Sequence, residues 1–223
     1  MSKRGFTVPP GRAGRLWLVR RLRTARRGAD LLDRKLQILQ AELGRRRVAA
    51  TQTAAEWNRR CGDAERWLLR AALVGGQRAV RLAADGQAAD VTISYESTMG
   101  VRHPAAAACR VPVPVTWEDP ALAATREAHA AALTAAVRHA AAAEALRVIE
   151  AEVLTTRYQL RAVRDRWIPR LEQALADVAA ALEEQELADA ARLRLATSTH
   201  ARKGMEALPG RGLSALWHRS PGP

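Results

Sequence analysis

The stretch LRVIEAEVLTTRYQLRAVRDRWIPRLEQALADVAAAL, residues 146–182, decides the fold. Its apolar positions Leu146, Ile149, Val153, Leu160, Val163 and Trp167, with Thr156 in step, advance by 3, 4, 3, 4, 3 and 4 residues. A mean spacing of about 3.5 is that of a helix keeping one narrow seam against a partner helix. At Trp167-Ile168-Pro169 the register breaks, and the next set, Leu171, Leu175, Val178 and Leu182, is displaced by one residue. A proline within a helix removes a backbone donor and crowds the carbonyl four residues back, which predicts a kink or local unwinding there. A seam this narrow is not buried by a thick core. It needs one long helical partner, and the rest of the chain must supply it.

The partner lies at the other end. From Arg12 to Val74 there is no proline, and Leu22, Ala25, Ala29, Leu32, Leu36, Leu39 and Leu43 repeat the 3, 4 alternation. Carried on, the register reaches Ala50, Thr53, Trp57, Ala64, Trp67, Ala71 and Val74, with Arg46 and Arg60 as intruders. Gly75-Gly76 is expected to end this helix as a glycine C-cap. Trp57, Trp67 and Trp167 fall on the seams and are expected in the core; Trp17, Trp117 and Trp217 are expected at the margins or in the tail. Between the helices, Val91-Thr92-Ile93-Ser94-Tyr95 has strand character, and after a turn at Gly100 the proline-bearing Val111-Pro112-Val113-Pro114-Val115 suits only an edge strand or extended segment. Asp119-Pro120 is a helix start, a capping carboxylate followed by proline at the first helical position.

The expected fold is therefore all-α: a long two-helix antiparallel coiled coil with a small hairpin-like cap between the helices. The expected division is a disordered arm at 1–11, a first coiled-coil helix at 12–76 and a cap with short extended or β segments at 77–118. A second coiled-coil helix at 119–202, kinked near Pro169, and a flexible tail at 203–223 complete it. Charge agrees with the antiparallel pairing. Residues 1–35 carry eleven Lys/Arg and two Asp, whereas residues 171–190 carry six carboxylates and no Lys or Arg. Folding about the cap sets these blocks side by side, where they fix orientation and register more than stability.

Composition narrows the class. The chain has 223 residues, 48% of them hydrophobic but only nine aromatic, which suits thin alanine-rich helices. The net charge of +13 invites a basic coiled coil that binds nucleic acid as the alternative reading. Against it, DNA-reading helices extend beyond their dimer seam, whereas Leu22 to Leu43 places the seam inside the basic segment. Cys61 and Cys109 match no metal or redox spacing. The histidines His103, His129, His139, His200 and His218 form no H-E-x-x-H or Cys/His set, and no phosphate-binding G-x-x-x-x-G-K-[ST] loop exists. Glu183, Glu184 and Glu186 read as a solvated helix flank. No catalytic, cofactor-binding or metal-binding residue is assigned, no cofactor is expected, and no run is apolar for long enough to cross a bilayer.

Two separated motifs carry a family resemblance. Gly14-Arg15-Leu16, Arg21-Leu22, Ala25 and Arg27-Gly28-Ala29-Asp30-Leu31-Leu32-Asp33-Arg34-Lys35 resemble the first helix of the D subunit of V-type (archaeal/vacuolar-type) ATP synthases. Ala162-Val163, Ile168-Pro169-Arg170-Leu171-Glu172, Leu182-Glu183-Glu184-Gln185-Glu186 and Arg192-Leu193 resemble its second helix. The family's R-R-V-N-A-L-E run is Tyr158 to Arg164 here, and the alanine- and arginine-rich drift suggests a bacterial member. The resemblance implies a non-catalytic central rotor-stalk subunit of a proton- or sodium-translocating ATPase or ATP synthase. It also implies the partners: the small F subunit on the coiled coil, the ring of catalytic A and B subunits around the termini, and the funnel-like C/d subunit at the cap end. Direct nucleic-acid binding and membrane insertion are not implied; the expected location is cytoplasmic, peripheral to the plasma membrane.

Overall fold

The computed structural model describes residues 7–83, 88–112 and 119–206, with side-chain surroundings as far as His200. Most of the expected arm and tail, and Trp117, Trp217 and His218, lie outside these residues. The elements in chain order are α1 (Gly11–Leu82), β1 (Asp90–Thr98), β2 (Val101–Arg110), α2 (Pro120–Arg161), a π-helical turn (Ala162–Trp167) and α3 (Ile168–Glu206). They divide into two compact units, one of residues 25–167 and one formed by 1–24 with 168–223.

In the larger unit α1 and α2 run antiparallel. Thr53 meets His139, and Thr125 Oγ1 donates to the Trp67 carbonyl at 3.0 Å, so positions rise along one helix as they fall along the other. Much of the expected seam is buried: Ala29, Leu36, Leu39, Ala50, Ala64 and Ala71 on α1, and Ile149, Val153, Thr156 and Leu160 on α2. Ala132, Ala135 and Ala145 extend it where the sequence pattern marks no seam residue, whereas Leu146, Val163 and Trp167 are only half-buried and Val74 is exposed. Leucine, isoleucine and valine fill one part of this seam and alanine the other. An alanine contact buries little area but lets two backbones approach closely. Flanking pairs pin the register: Lys35 Nζ is 2.6 Å from Glu152, Arg47 2.8 Å from Glu150, and Arg164 3.5 Å from Asp33.

In the smaller unit Leu18, Leu22 and Leu171 are buried. Arg12, from the basic block, contacts Glu186, from the acidic block, at 2.9 Å. Both side chains are more than half exposed, so this pair orients rather than stabilises. Gly14 is required by packing, because a Cβ there would collide with the Pro9 carbonyl.

Four expectations need correction. Gly75-Gly76 interrupts the first helix without ending it: Gly76 alone adopts φ 73° and ψ 164°, and helix resumes to Leu82. The second strand is Val101–Arg110, not Val111–Val115, because Met99 and Gly100 both take positive φ (52° and 82°) in a two-residue turn that pairs Thr98 directly with Val101. Val111 and Pro112 lie beyond the strand, and residues 113–118 are outside those described. Trp57 and Trp67 are not core. They remain 37% and 36% exposed, since close approach over alanine leaves no room for an indole in the seam. Finally, α3 continues to Glu206, past the expected end at 202.

The break ahead of Pro169 has a specific form. The turn Ala162–Trp167 is π-helical, which inserts one extra residue into a helix without ending it. That accounts for the one-residue jump of the apolar set. Pro169 follows that turn directly, so its missing donor falls where the α-helical ladder is already interrupted. Deleting Arg166, which is exposed, removes the extra residue of this turn and should cost less melting temperature than a deletion in the buried seam. Deleting Arg157, in the uninterrupted stretch, should turn Leu160 out of the seam and cost about 2–5 kcal/mol, as other losses of a buried leucine do. Equal losses from the two deletions, measured by thermal and denaturant unfolding, would show that the π turn is not what absorbs the register shift.

Candidate functional site

The chemistry-bearing side chains gather where the hairpin meets the helices. β1 and β2 pair antiparallel from Asp90↔Arg110 to Thr98↔Val101, with a bulge between Ser94 and Tyr95 opposite Pro104. Pro104 has no N–H for the ladder, and the register slips at that point. β2 packs along α2. Its Ala105-Ala106-Ala107-Ala108 run has poor strand propensity, and small side chains are what a strand lying close to an alanine-rich helix requires.

The tip of the hairpin is tied to α1 by an ion-pair network. Glu42, 5% exposed, accepts hydrogen bonds from Arg45 and from Arg46 Nε, the latter at 2.6 Å. The other end of the Arg46 guanidinium donates to Glu96 of β1. His103, wholly buried, sits beneath: its Nδ1 is 3.3 Å from the Pro104 carbonyl and its Nε2 3.1 Å from Thr98 Oγ1. The carbonyl can only accept, so Nδ1 donates to it, while Nε2 and the threonine hydroxyl share the second hydrogen bond. Ligand atoms of Glu42, Glu96 and His103 all lie within 4.8 Å of one another, the spacing of a metal set. Arg46 bridges the two carboxylates, however, and takes the place a cation would occupy. The cluster is a latch between hairpin and helix.

Electrostatics agree. Burial is the largest single influence on Glu42 and opposes its ionisation, but the bonds from Arg45 and Arg46 together outweigh it and hold the carboxyl below its ordinary 4.5. The same bonds, with that to Glu96, outweigh the desolvation of Arg46 and raise its pKa. Further along α1, Arg59 and Arg60 pair with Glu56 and Arg66 with Asp63 on the same helix.

The remaining residues singled out by sequence are scattered. His139 stacks on Trp57 with ring centroids 5.4 Å apart, His129 Nδ1 bonds the Thr125 carbonyl at 2.8 Å, and His200 is exposed on α3. Cys61 and Cys109 are free and half-buried. Glu183, Glu184 and Glu186 are exposed, as a solvated flank requires. Sequence reading missed the latch. Arg46 stood on the seam as an apparent intruder and Glu42 was not singled out; only the hairpin, folded back alongside α2, brings Glu96 to Arg46.

Among the described residues no helix is long and apolar enough to cross a membrane. The larger unit is thus an antiparallel helix pair with a hairpin latched to its side. The chain belongs to the ATP synthase D-subunit family, whose model matches residues 16–198. Comparison with curated proteins gave no match. Membership assigns the chain a role in an ATP synthase/ATPase complex, associated with other subunits of a membrane-associated assembly, and points to a non-catalytic stalk part.

Because the Glu42 carboxyl is held below 4.5, its contribution is complete above that pH and is lost as pH falls through the lowered value. Glu42→Gln should cost about 2–4 kcal/mol at pH 7, since it leaves two arginines short of a carboxylate at a buried position. It should also flatten the acid limb of stability between pH 5 and pH 3. Urea titrations across that range check both effects; an unchanged acid limb in the variant would remove Glu42 as its source.

Proposed function

We propose that this protein is the central rotor-stalk subunit of a V-type ATP synthase or ATPase, passing torque between a ring of catalytic A and B subunits and the membrane rotor. The F subunit would sit on the coiled coil and the funnel-like C/d subunit at the hairpin end. The observation that carries this reading is the family match over residues 16–198, which spans parts of both helical units. The internal construction supports it. Torque transfer needs paired helices that do not slip, and the flanking pairs Lys35–Glu152 and Arg47–Glu150 oppose sliding of α1 along α2. The latch adds a lateral tie.

Net charge alone favours the nucleic-acid alternative. Arg46, Arg47, Arg59, Arg60 and Arg66 face carboxylates of this chain and are not a free basic stripe.

Affinity purification of the tagged chain from native membranes should bring with it an ATP-hydrolysing complex. Removing residues 1–20 together with 196–223 should leave hydrolysis running while ion transport per ATP falls. Replacing any single histidine should leave hydrolysis within a few-fold, far from the ~100-fold loss expected of a catalytic group. A histidine variant that assembled normally yet abolished turnover would overturn the reading, as would purification without any ATPase.

A further inference from the structure

We propose that β1 is a docking edge, onto which an extended strand of another subunit of the complex pairs. This rests on the function proposed above, since it takes the partner to be a subunit of the same assembly. Among the described residues the backbone of β1 pairs only with β2, while β2 in turn packs against α2. About half of the backbone N–H and C=O groups of an edge strand point away from its neighbour, unpaired. Donors and acceptors repeating at that spacing are matched by one kind of ligand, a polypeptide in extended form.

The side chains point the same way. Every residue from Asp90 to Ser97 is exposed, and the alternating Val91, Ile93 and Tyr95 are left 45%, 43% and 50% exposed. Natural edge strands are blunted by proline, lysine, bulges or shortness. β1 is nine residues long, holds no proline, lysine or arginine, and the extra residue of the bulge, Ala105, falls on β2. The strand is also held ready for a partner. The Arg46–Glu96 pair ties it to α1, and the Arg102 guanidinium lies 4.3 Å from the centre of the Tyr95 ring.

The occupant is defined by this surface: an extended segment apolar at alternate positions, with a basic or neutral residue rather than an acidic one beside Asp90. A second copy of this chain fits less well. One nine-residue strand pair buries about several hundred Å², short of the roughly 1,200 Å² of a stable free-standing interface. A strand from a subunit already held in the same assembly has the benefit of high effective concentration.

Amide hydrogen exchange on the full tagged chain, alone and in the complex purified from native membranes, tests this directly. Amides in residues 90–98 should exchange about tenfold or more slowly in the complex than in the isolated chain. A benzophenone amino acid at position 93 should cross-link to a single short segment of another subunit. Val91→Lys with Ile93→Lys should abolish the added protection while exchange in α2 and β2 of the isolated chain stays at the wild-type rate. Ile93→Thr, which keeps strand propensity, serves if the double variant is unstable, and should reduce the protection. An ATPase-active complex in which residues 90–98 exchange as in the isolated chain would overturn this inference and leave the functional proposal standing. Protection already present in the isolated chain and lost on dilution would assign the edge to a second copy and overturn it as well. Failure to recover any ATPase complex would overturn both.

Discussion

The antiparallel seam between α1 and α2 is the constraint on which the rest depends. Its alanine part, with Ala50, Ala64 and Ala71 facing a helix that buries Ala132, Ala135 and Ala145, holds by close approach and not by bulk. Each contact removes little apolar area, so the pairing is the sum of many small terms and tolerates no register slip. The unpartnered hydroxyl of the fully buried Thr156 shows how firmly the register is set: a polar group is carried into the seam without a hydrogen-bond partner among the described residues. The tryptophans stand aside for the same reason. Trp57 stacks on His139, and the Trp67 ring lies 4.8 Å from the Arg70 guanidinium.

Lateral features are then built on a scaffold with little depth. The hairpin cannot bury itself in a core, so it rests its small-residue strand on α2 and is fastened by charge to α1 through Arg46. A two-stranded hairpin alone is marginal in water, and packing against a helix is what stabilises it. Burying Glu42 is tolerable only because two guanidiniums meet it. That requirement also explains why a set of ligands with metal-like spacing is occupied by arginine.

How far the sequence could be read follows the same physics. The helices and their seam were legible because period 3.5 persists over long stretches, and the break near Pro169 was visible as a one-residue displacement of the apolar set. Its π-helical form was not, because the pattern records an added residue but not the hydrogen bonding that absorbs it. The first strand was legible in Val91 to Tyr95. The second was misplaced: alanines from Ala105 to Ala108 carry no strand signal, and the turn at Met99-Gly100 puts a non-glycine residue at positive φ. The latch was illegible altogether, since Glu42, Arg46, Glu96 and His103 come from segments whose approach is decided by tertiary folding. Family membership rested on motifs near both chain ends, and the match over residues 16–198 agrees with that reading.

The claim beneath all of this is that one chain supplies both partners of the seam, antiparallel and in register. Thr53 Oγ1 and His139 Nδ1 lie 3.2 Å apart, which puts these two positions within reach of a short bifunctional thiol reagent. Thr53→Cys with His139→Cys, in a chain whose Cys61 and Cys109 are replaced by serine, should cross-link efficiently within single chains. The product should run as a monomer on a denaturing gel, and a control pair placed one helical turn out of register should react poorly. Cross-linking mainly between chains, or equal reaction of the shifted pair, would contradict the account.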